Sequence, residues 1–459
     1  MARFYVENFG CRATQADGAA LERQFRERGL VRANLASDAE VVVLNTCTVT
    51  ASADRDARAA IRRVRRENPG CQIVVTGCYA QRAPEEIAAL PGVSRVVGNS
   101  HKHQLAEIVL PKAFVSLGSL SAGQRPLLAC PEPNDEGTND QPPVYVSDIF
   151  AHTELLAAPV FDAANERTRP NLKVQDGCDN RCSFCVIPSV RGQSRSLPLP
   201  EVLAEVNALV AAGYREVVIS GINLGRWGRD LPTESTGFER LIRAILEGTT
   251  LEKLRISSVE PMDWSDELIQ LMAESSRIAR HAHVPMQSGS DRILRLMHRK
   301  YRPWHYRQKI EKIRAAMPTA AIGADVMVGF PGETDQDFEE TRSMVEDLPL
   351  TYLHVFTYSA RPGTPAAAMH NHVPANVARV RNQVLRDLAA AKKLAFMRSF
   401  VGKTVEAITL NVFDGTHTEC LTGNYLPLRM QGRHDPNLWT RARVDDLHGG
   451  TLIATRESI

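Results

Sequence analysis

The sequence predicts an α/β protein of three modules: an N-terminal open parallel α/β sheet, a central partial (β/α)6-type barrel, and a small C-terminal all-β, OB-like barrel. Three observations predict it. Short β-branched runs alternate with amphipathic segments over residues 1–110 and again over 166–395, the pattern of parallel βα units. Between them, residues 111–165 lose the period and include ACPEPNDEGTNDQPP, whose composition marks an exposed linker or loop. From 396 to 459 the pattern changes to short β-rich runs separated by glycine turns, as in small closed barrels.

In the first module FYVENFG precedes the helical stretch QADGAALERQFRERG, and EVVVLNTC precedes SADRDARAAIRRVRREN. QIVVTGC is followed by APEEIAAL and then VSRVVGN. In the second, the strand candidates are NLKVQDG, EVVISGINLG, KLRISSVEP, HAHVPMQSG, IGADVMVGFPG and YLHVFTYSA, with segments such as LPEVLAEVNALVAAG between them. Six such units make a partial or complete parallel barrel, with its site at the strand C-termini. In the third, VGKTVEAITLNVF, HTECLTGNYLPLRM and TRARVDDLHGGTLIATRES supply the strands.

Composition bounds the function. The 459 residues are 43% hydrophobic and 24% charged, ordinary for globular proteins, which excludes a disordered chain, a collagen and a small disulfide scaffold. Lys+Arg numbers 55 against 53 Asp+Glu, so any nucleic-acid contact must be a local patch. No apolar run reaches the roughly 18 residues of a membrane span, and MARFYVENFGCRATQ lacks a secretory apolar core. A cytoplasmic location is expected, with no membrane partner.

In that reducing compartment the nine cysteines read as metal ligands or catalytic groups rather than disulfides. GCDNRCSFCVIP places Cys178, Cys182 and Cys185 in a C-x3-C-x2-C loop directly after the strand NLKVQDG. Thiolates hold iron–sulfur clusters or zinc. The loop has no fourth ligand, so three thiolates on a four-iron cluster leave one iron open, while a zinc knuckle would need a distant fourth ligand. Cys11, Cys47 and Cys78 each end a strand of the N-terminal sheet, 36 and 31 residues apart. Parallel strands end on one edge, where ligands bind. These three thiols are therefore expected to converge as a second open cluster site; the alternative is apolar packing of small cysteines. Cys71, at a strand start, and Cys130 and Cys420, outside both sets, are expected to be non-ligands.

The three-cysteine loop resembles that of the radical S-adenosylmethionine enzymes. That resemblance implies that the open iron chelates S-adenosylmethionine and that one electron releases a 5′-deoxyadenosyl radical. Two three-cysteine sets in this order, with GINLGRWG (221–228), VPMQSGSDRILRLMHRKY (284–301), DVMVGFPGETDQDFEET (325–341) and YSARPGTPAAAM (358–369), resemble the methylthiotransferase family over nearly the whole chain. The family resemblance implies two 4Fe–4S clusters and S-adenosyl-L-methionine used both as methyl donor and as radical source. It implies residues 1–110 as the domain of the auxiliary cluster, 166–395 as the radical barrel, and the tail from 396 as a TRAM-like RNA-binding module. Of its branches, the one modifying threonylcarbamoyladenosine in tRNA is matched by LKVQDGCDNRCSFC, SGINLGRWG and MHRKYRPWHY. YSARPGTPAA also points to the tRNA branches, whereas IPSVRG around Ser189 resembles the ribosomal-protein branch. The expected reaction is methylthiolation of carbon 2 of that nucleoside beside the anticodon. The partners are the tRNA anticodon loop, an electron donor such as flavodoxin or ferredoxin, and a sulfur source. Rival readings are isopentenyladenosine in tRNA, a ribosomal-protein side chain, or a non-enzymatic iron–sulfur RNA-binding regulator.

Gly221, Asn223, Glu260, Gln287, Gly329 and Glu333 fall at barrel strand ends and are expected to line the cofactor pocket; Glu333 could equally be an ordinary acid at a helix start. His281 and His283 alternate along a strand and read as packed or surface histidines. Arg55, Arg58 and Arg62 share one helical face that could grip phosphate. Lys403, Arg429, Arg433, Arg441 and Arg443 of the tail are better placed for RNA.

Overall fold

The computed structural model describes residues 1–110, 141–152, 155, 169–231 and 237–457; Cys130 and most of the expected linker lie outside them. The N-terminal module contains β1 (Arg3–Asn8), α1 (Arg12–Glu27), β2 (Val31–Arg32), β3 (Val41–Thr46), α2 (Ala51–Glu67), β4 (Gln72–Gly77), α3 (Cys78–Arg82), α4 (Pro84–Ala88), β5 (Val93–Gly98), α5 (Leu105–Val109) and β6 (Val144–Tyr145). The strands pair in parallel in the order β2-β1-β3-β4-β5-β6. Helices cover both faces, so VVVLNT of β3 is buried throughout, as a doubly covered strand must be. Val42 and Leu44 pack with Ile61 and Val64 of α2. Val41 and Val43 pack on the other face with Leu21 and Phe25 of α1. The two-residue edge strand β6 lies inside the stretch read as linker; two residues carry no periodicity to read.

The central module contains β7 (Asn171–Asp176), α6 (Ile187–Arg191), β8 (Arg195–Ser196), α7 (Leu199–Ala211), β9 (Glu216–Gly221), α8 (Phe238–Gly248), β10 (Lys253–Ile256), α9 (Asp266–Glu274), β11 (His281–His283), α10 (Asp291–Leu296), α11 (Pro303–Ala316), β12 (Ala321–Val328), α12 (Asp335–Asp347), β13 (Tyr352–Thr357) and α13 (Ala375–Arg398). All six strand candidates form. They make a half-barrel of two sheets, β10-β9-β7-β8 and β11-β12-β13, joined by the bridges Leu254–Ile278 and Ser258–His283. Ile322, Ala324, Val326 and Val328 of β12 face the apolar layer under the helices. Asp325 and Met327 alternate with them and are half-buried on the lumen side. Helix α1 lies against β7: Asn171 Nδ2 donates to the Arg12 carbonyl at 3.2 Å, and the Lys173 ammonium donates to Asp17.

The tail strands β14 (Thr404–Phe413), β15 (His417–Thr422), β16 (Pro427–Gln431), β17 (Trp439–His448) and β18 (Thr451–Arg456) close into a barrel in the order β14-β15-β16-β18-β17, as the sequence predicts. Helix α13 runs past residue 396, and Met397 and Phe400 at its end join the core of the small barrel. The β15–β16 turn presses on the central module: Asn424 Nδ2 donates to the Thr319 carbonyl at 3.0 Å, and Arg255 Nη2 donates to the Thr422 carbonyl at 3.4 Å. Among the described residues no helix is long and apolar enough to cross a membrane.

Candidate functional site

The site lies where two cysteine loops meet. Cys178, Cys182 and Cys185 follow β7 at its C-terminal end. The loop is folded by Cys178 N–H donating to Gly192 O and Cys185 N–H donating to Cys182 O, both at 3.1 Å. Burial pushes the Cys185 thiol up to about 12, with Cys182 and Cys178 adding to the rise, and burial also raises Cys178. Three donors already face the sulfurs. Asn180 N–H and Asn223 Nδ2 approach Cys178 Sγ at 3.4 and 3.7 Å. Arg299 Nη1 approaches Cys182 Sγ at 3.2 Å. Such donors stabilise thiolates once a metal has displaced their protons.

Cys11, Cys47 and Cys78 are neighbours at the strand ends of the N-terminal sheet. Gly10, at φ +94°, lies so close to Cys47 that a Cβ on it would stand 2.7 Å from Cys47 Sγ; only glycine allows the β1–α1 turn to bring Cys11 alongside. Burial lifts the Cys47 thiol to about 11, and the neighbouring thiols of Cys78 and Cys11 lift it further. Asn99 Nδ2 approaches Cys78 Sγ at 3.6 Å and donates to Val190 O at 2.7 Å. That second bond crosses to α6, directly after the other loop. Cys78 packs with Val186 and Val190 in one apolar cluster, so the two loops are neighbours in space. Cys71 is half-buried at the opposite end of its strand, and Cys420 is buried in the small barrel.

Neither triad is gathered tightly enough to share one small ion. Among the described residues, only His283, Asp325 and His354 bring three ligand atoms within 4.8 Å of one another. Thiolates on one tetrahedral zinc, each about 2.3 Å from the metal, would meet that limit. Cysteine thiolates are the ligands of four-iron clusters, and each set offers three of them.

A buried ionic network joins the two modules, and the sequence reading missed it. Asp17 of α1 accepts from Lys102 at 3.1 Å, from Lys173 of β7, and from Arg191 of α6 at 3.0 Å. Asp176 accepts from Lys173 at 2.9 Å and from Arg191 at 3.0 Å. Burial alone would raise Asp17, but Lys102, Lys173 and Arg191 overcome it and hold the carboxyl far below its ordinary range. The available signal was a lysine and an aspartate inside the otherwise apolar strand NLKVQDG.

The expected pocket residues divide into two kinds. Asn223 is 5% exposed; its N–H donates to Gln175 Oε1 at 2.7 Å, and its Oδ1 has no partner among the described residues. Gly221 ends β9 against the same glutamine. Glu260 accepts from Arg299, one step from Cys182. Gln287, in the left-handed region at φ 61°, continues the pairing with β12 beyond the end of β11: its N–H donates to Asp325 O, and its carbonyl accepts from Met327 N–H, both at 2.8 Å. Glu333 closes its own turn, its Oε2 accepting from Gly329 N–H at 2.7 Å and from Arg381 at 2.6 Å. Gly329, at φ +75°, would push a Cβ to 2.7 Å from Ala378, so the glycine is required by helix packing. His281 and His283 are buried, and His283 and His354 flank Asp325 at 3.3 and 3.2 Å.

The arginine faces are partly committed. Arg58 donates to Tyr79 OH at 2.7 Å. In the tail, Arg429 pairs with Asp414 and Arg441 with Glu457 at 3.5 Å; Arg441 and Arg443 remain about two-thirds exposed, at 68% and 67%.

A half-barrel with a three-thiol loop at its first strand end is the arrangement of radical SAM enzymes, and residues 172–345 match the Radical SAM superfamily. Residues 3–98 match Uncharacterized protein family UPF0004. The threonylcarbamoyladenosine tRNA methylthiotransferase MtaB of Bacillus subtilis (strain 168) is 36% identical over 95% of this chain and 92% of its own length. The tRNA-2-methylthio-N(6)-dimethylallyladenosine synthase of Novosphingobium aromaticivorans is 35% identical over 88% and 86%. The chain therefore belongs to the radical SAM tRNA methylthiotransferase family. In fold it is similar to the radical S-adenosylmethionine methyltransferase TsrM of Kitasatospora setae, with TM-score 0.53 and 16% identity over 80% of this chain and 75% of that one.

Proposed function

We propose that the protein adds a methylthio group to carbon 2 of N6-threonylcarbamoyladenosine beside the anticodon of tRNA, in the cytoplasm. The observation that supports the reaction type is that Cys78 of the N-terminal set packs with Val186 and Val190, next to the three-thiol loop of the barrel. The threonylcarbamoyl substrate is favoured by relatives of that name at 36% and 34% identity over 95% and 93% of the chain.

Cys178, Cys182 and Cys185 would hold one 4Fe–4S cluster, and Cys11, Cys47 and Cys78 the other. When bound, the clusters supply reductive cleavage of S-adenosyl-L-methionine and a seat for the sulfur that is transferred. The chain's own residues do the rest. Asn223 and Arg299 donate toward the sulfurs of the barrel loop. Gly221, Asn223, Glu260, Gln287, Gly329 and Glu333 frame the strand ends that would receive S-adenosyl-L-methionine; of these, Asn223 Oδ1 and Glu333 Oε1 carry buried acceptors without a partner among the described residues. The Asp17 network fixes the two loops relative to each other, as transfer between them requires. A small-protein electron donor such as flavodoxin or ferredoxin and a separate sulfur source would feed the two sites.

The test is nucleoside mass spectrometry of tRNA from a methylthio-deficient strain carrying this gene. 2-Methylthio-threonylcarbamoyladenosine is expected. A methylthio group found only on dimethylallyladenosine, or only on a ribosomal protein, would overturn the reading.

A further inference from the structure

The lumen floor of the half-barrel carries more positive charge than its acids can match. Arg255 of β10 is fully buried and donates to Glu216 at 2.6 Å. Arg169 shares the same carboxylate at 3.9 Å. Both guanidinium groups stand over the ring of Tyr425, at 5.2 and 5.6 Å, which the tail inserts under the barrel. From the other side Arg12, the residue after Cys11, reaches in and donates from Nη2 to Tyr425 OH at 3.4 Å. Its side chain is exposed, and among the described residues no carboxylate lies within ion-pair distance of it.

The remaining acid on this wall, Asp325, is flanked by His283 and His354. Arg255 Nη1 has no hydrogen-bond partner among the described residues. Three guanidinium groups thus stand with Tyr425 against two carboxylates, Glu216 and Asp325. His281, next to Tyr425, reports the same field: burial first, then Arg255, His283 and Arg12, hold it far below its ordinary value.

An unmatched, accessible guanidinium at the floor of a polar lumen is an anion site. A threonylcarbamoyl group ends in a carboxylate and a hydroxyl; a dimethylallyl group is hydrocarbon and would leave these charges desolvated and unpaired. Resting on the substrate reading above, we propose that Arg12, backed by Arg255 and Arg169 around Tyr425, binds the carboxylate of the N6 substituent and selects threonylcarbamoyladenosine over apolar N6-modified adenosines. Arg12 follows Cys11 directly, so the anion site adjoins the proposed auxiliary set.

The experiment measures anaerobic binding of reconstituted enzyme to three anticodon stem-loops. One carries threonylcarbamoyladenosine, one its neutral carboxamide, and one dimethylallyladenosine. Wild type should prefer the acid to the carboxamide by about tenfold or more, the scale of one charge-assisted hydrogen bond. Arg12→Gln should bind acid and carboxamide alike, and Arg12→Lys should restore a preference; iron content checks that each variant keeps its clusters. Equal binding of acid and carboxamide by wild type, with methylthio product still formed on the acid, would overturn the anion site alone. Product on the dimethylallyl stem-loop with none on the acid would overturn the substrate reading and the site together.

Discussion

Replacing Asp17 by Asn removes one carboxylate from beneath three cations. Lys173 and Arg191 keep Asp176, at 2.9 and 3.0 Å. Lys102 keeps only the neutral Asn45 Oδ1 at 3.2 Å, although it is 3% exposed. An uncompensated buried ammonium is the expensive outcome, so the loss should fall at about 3–5 kcal/mol, the range for breaking a buried pair from one side. At roughly 2–4 °C per kcal/mol for a unit of 150–250 residues, that is a fall in melting temperature of about 10 °C, read by calorimetry. The pH dependence has a definite sign. Asp17 is held lower in the folded protein than in the unfolded chain. Its contribution is therefore complete above the ordinary aspartate value of about 4 and is lost as pH falls below it toward the folded value. Asp17→Asn should flatten that acid limb. Adding Lys102→Met should recover part of the loss, because the stranded charge goes with it. A variant melting within about 2 °C of wild type, with its acid limb intact, would refute the claim that this network clamps the two modules.

Other outcomes follow from the same geometry. Reconstituted protein should hold about eight irons; Cys178→Ala, Cys182→Ala or Cys185→Ala should halve that and abolish 5′-deoxyadenosine formation, by iron assay and chromatography. Cys47→Ala should keep 5′-deoxyadenosine and lose methylthio product, whereas Cys71→Ala should keep both iron and product. Arg299→Gln strips a donor from Cys182 Sγ and leaves Glu260 unpaired, so 5′-deoxyadenosine formation should slow with the iron count unchanged. Arg441→Gln with Arg443→Gln should weaken tRNA binding and lower the slope of log affinity against log salt by about 1.5, if each contacts one phosphate. Deleting the whole tail is a poorer probe of RNA binding, since Tyr425 and the Thr422 carbonyl meet barrel residues.

The parallel strands and both thiol triads were legible because each is written locally. VVVLNT and IVVTG are apolar runs too short for helices, and cysteines stand at the strand ends, so parallel topology places Cys11, Cys47 and Cys78 on one edge of the sheet. The three-cysteine loop needs no long-range contact to be seen. What was not legible depends on contacts between distant segments. Asp17 in α1 meets Lys173 in β7, 156 positions later. Tyr425 reaches under the barrel from the tail, and Arg12 meets it from 413 positions earlier. Glu333 reads in sequence equally as a pocket acid or as an ordinary acid at a helix start; folding engages one of its oxygens with Gly329 and Arg381. The short strands β2, β6 and β8 have two residues each, too few for a period.

Radical methylthiolation of threonylcarbamoyladenosine by the two thiol triads can be read in a single assay. Its most direct test incubates reconstituted enzyme, S-adenosyl-L-methionine, a reductant and a sulfur source with a stem-loop bearing that nucleoside, and quantifies nucleosides and 5′-deoxyadenosine together. 2-Methylthio-threonylcarbamoyladenosine is expected in step with 5′-deoxyadenosine in the wild type, and 5′-deoxyadenosine without methylthio product in Cys47→Ala. Methylthio product from Cys47→Ala, or none from the wild type while it cleaves S-adenosyl-L-methionine, would contradict it.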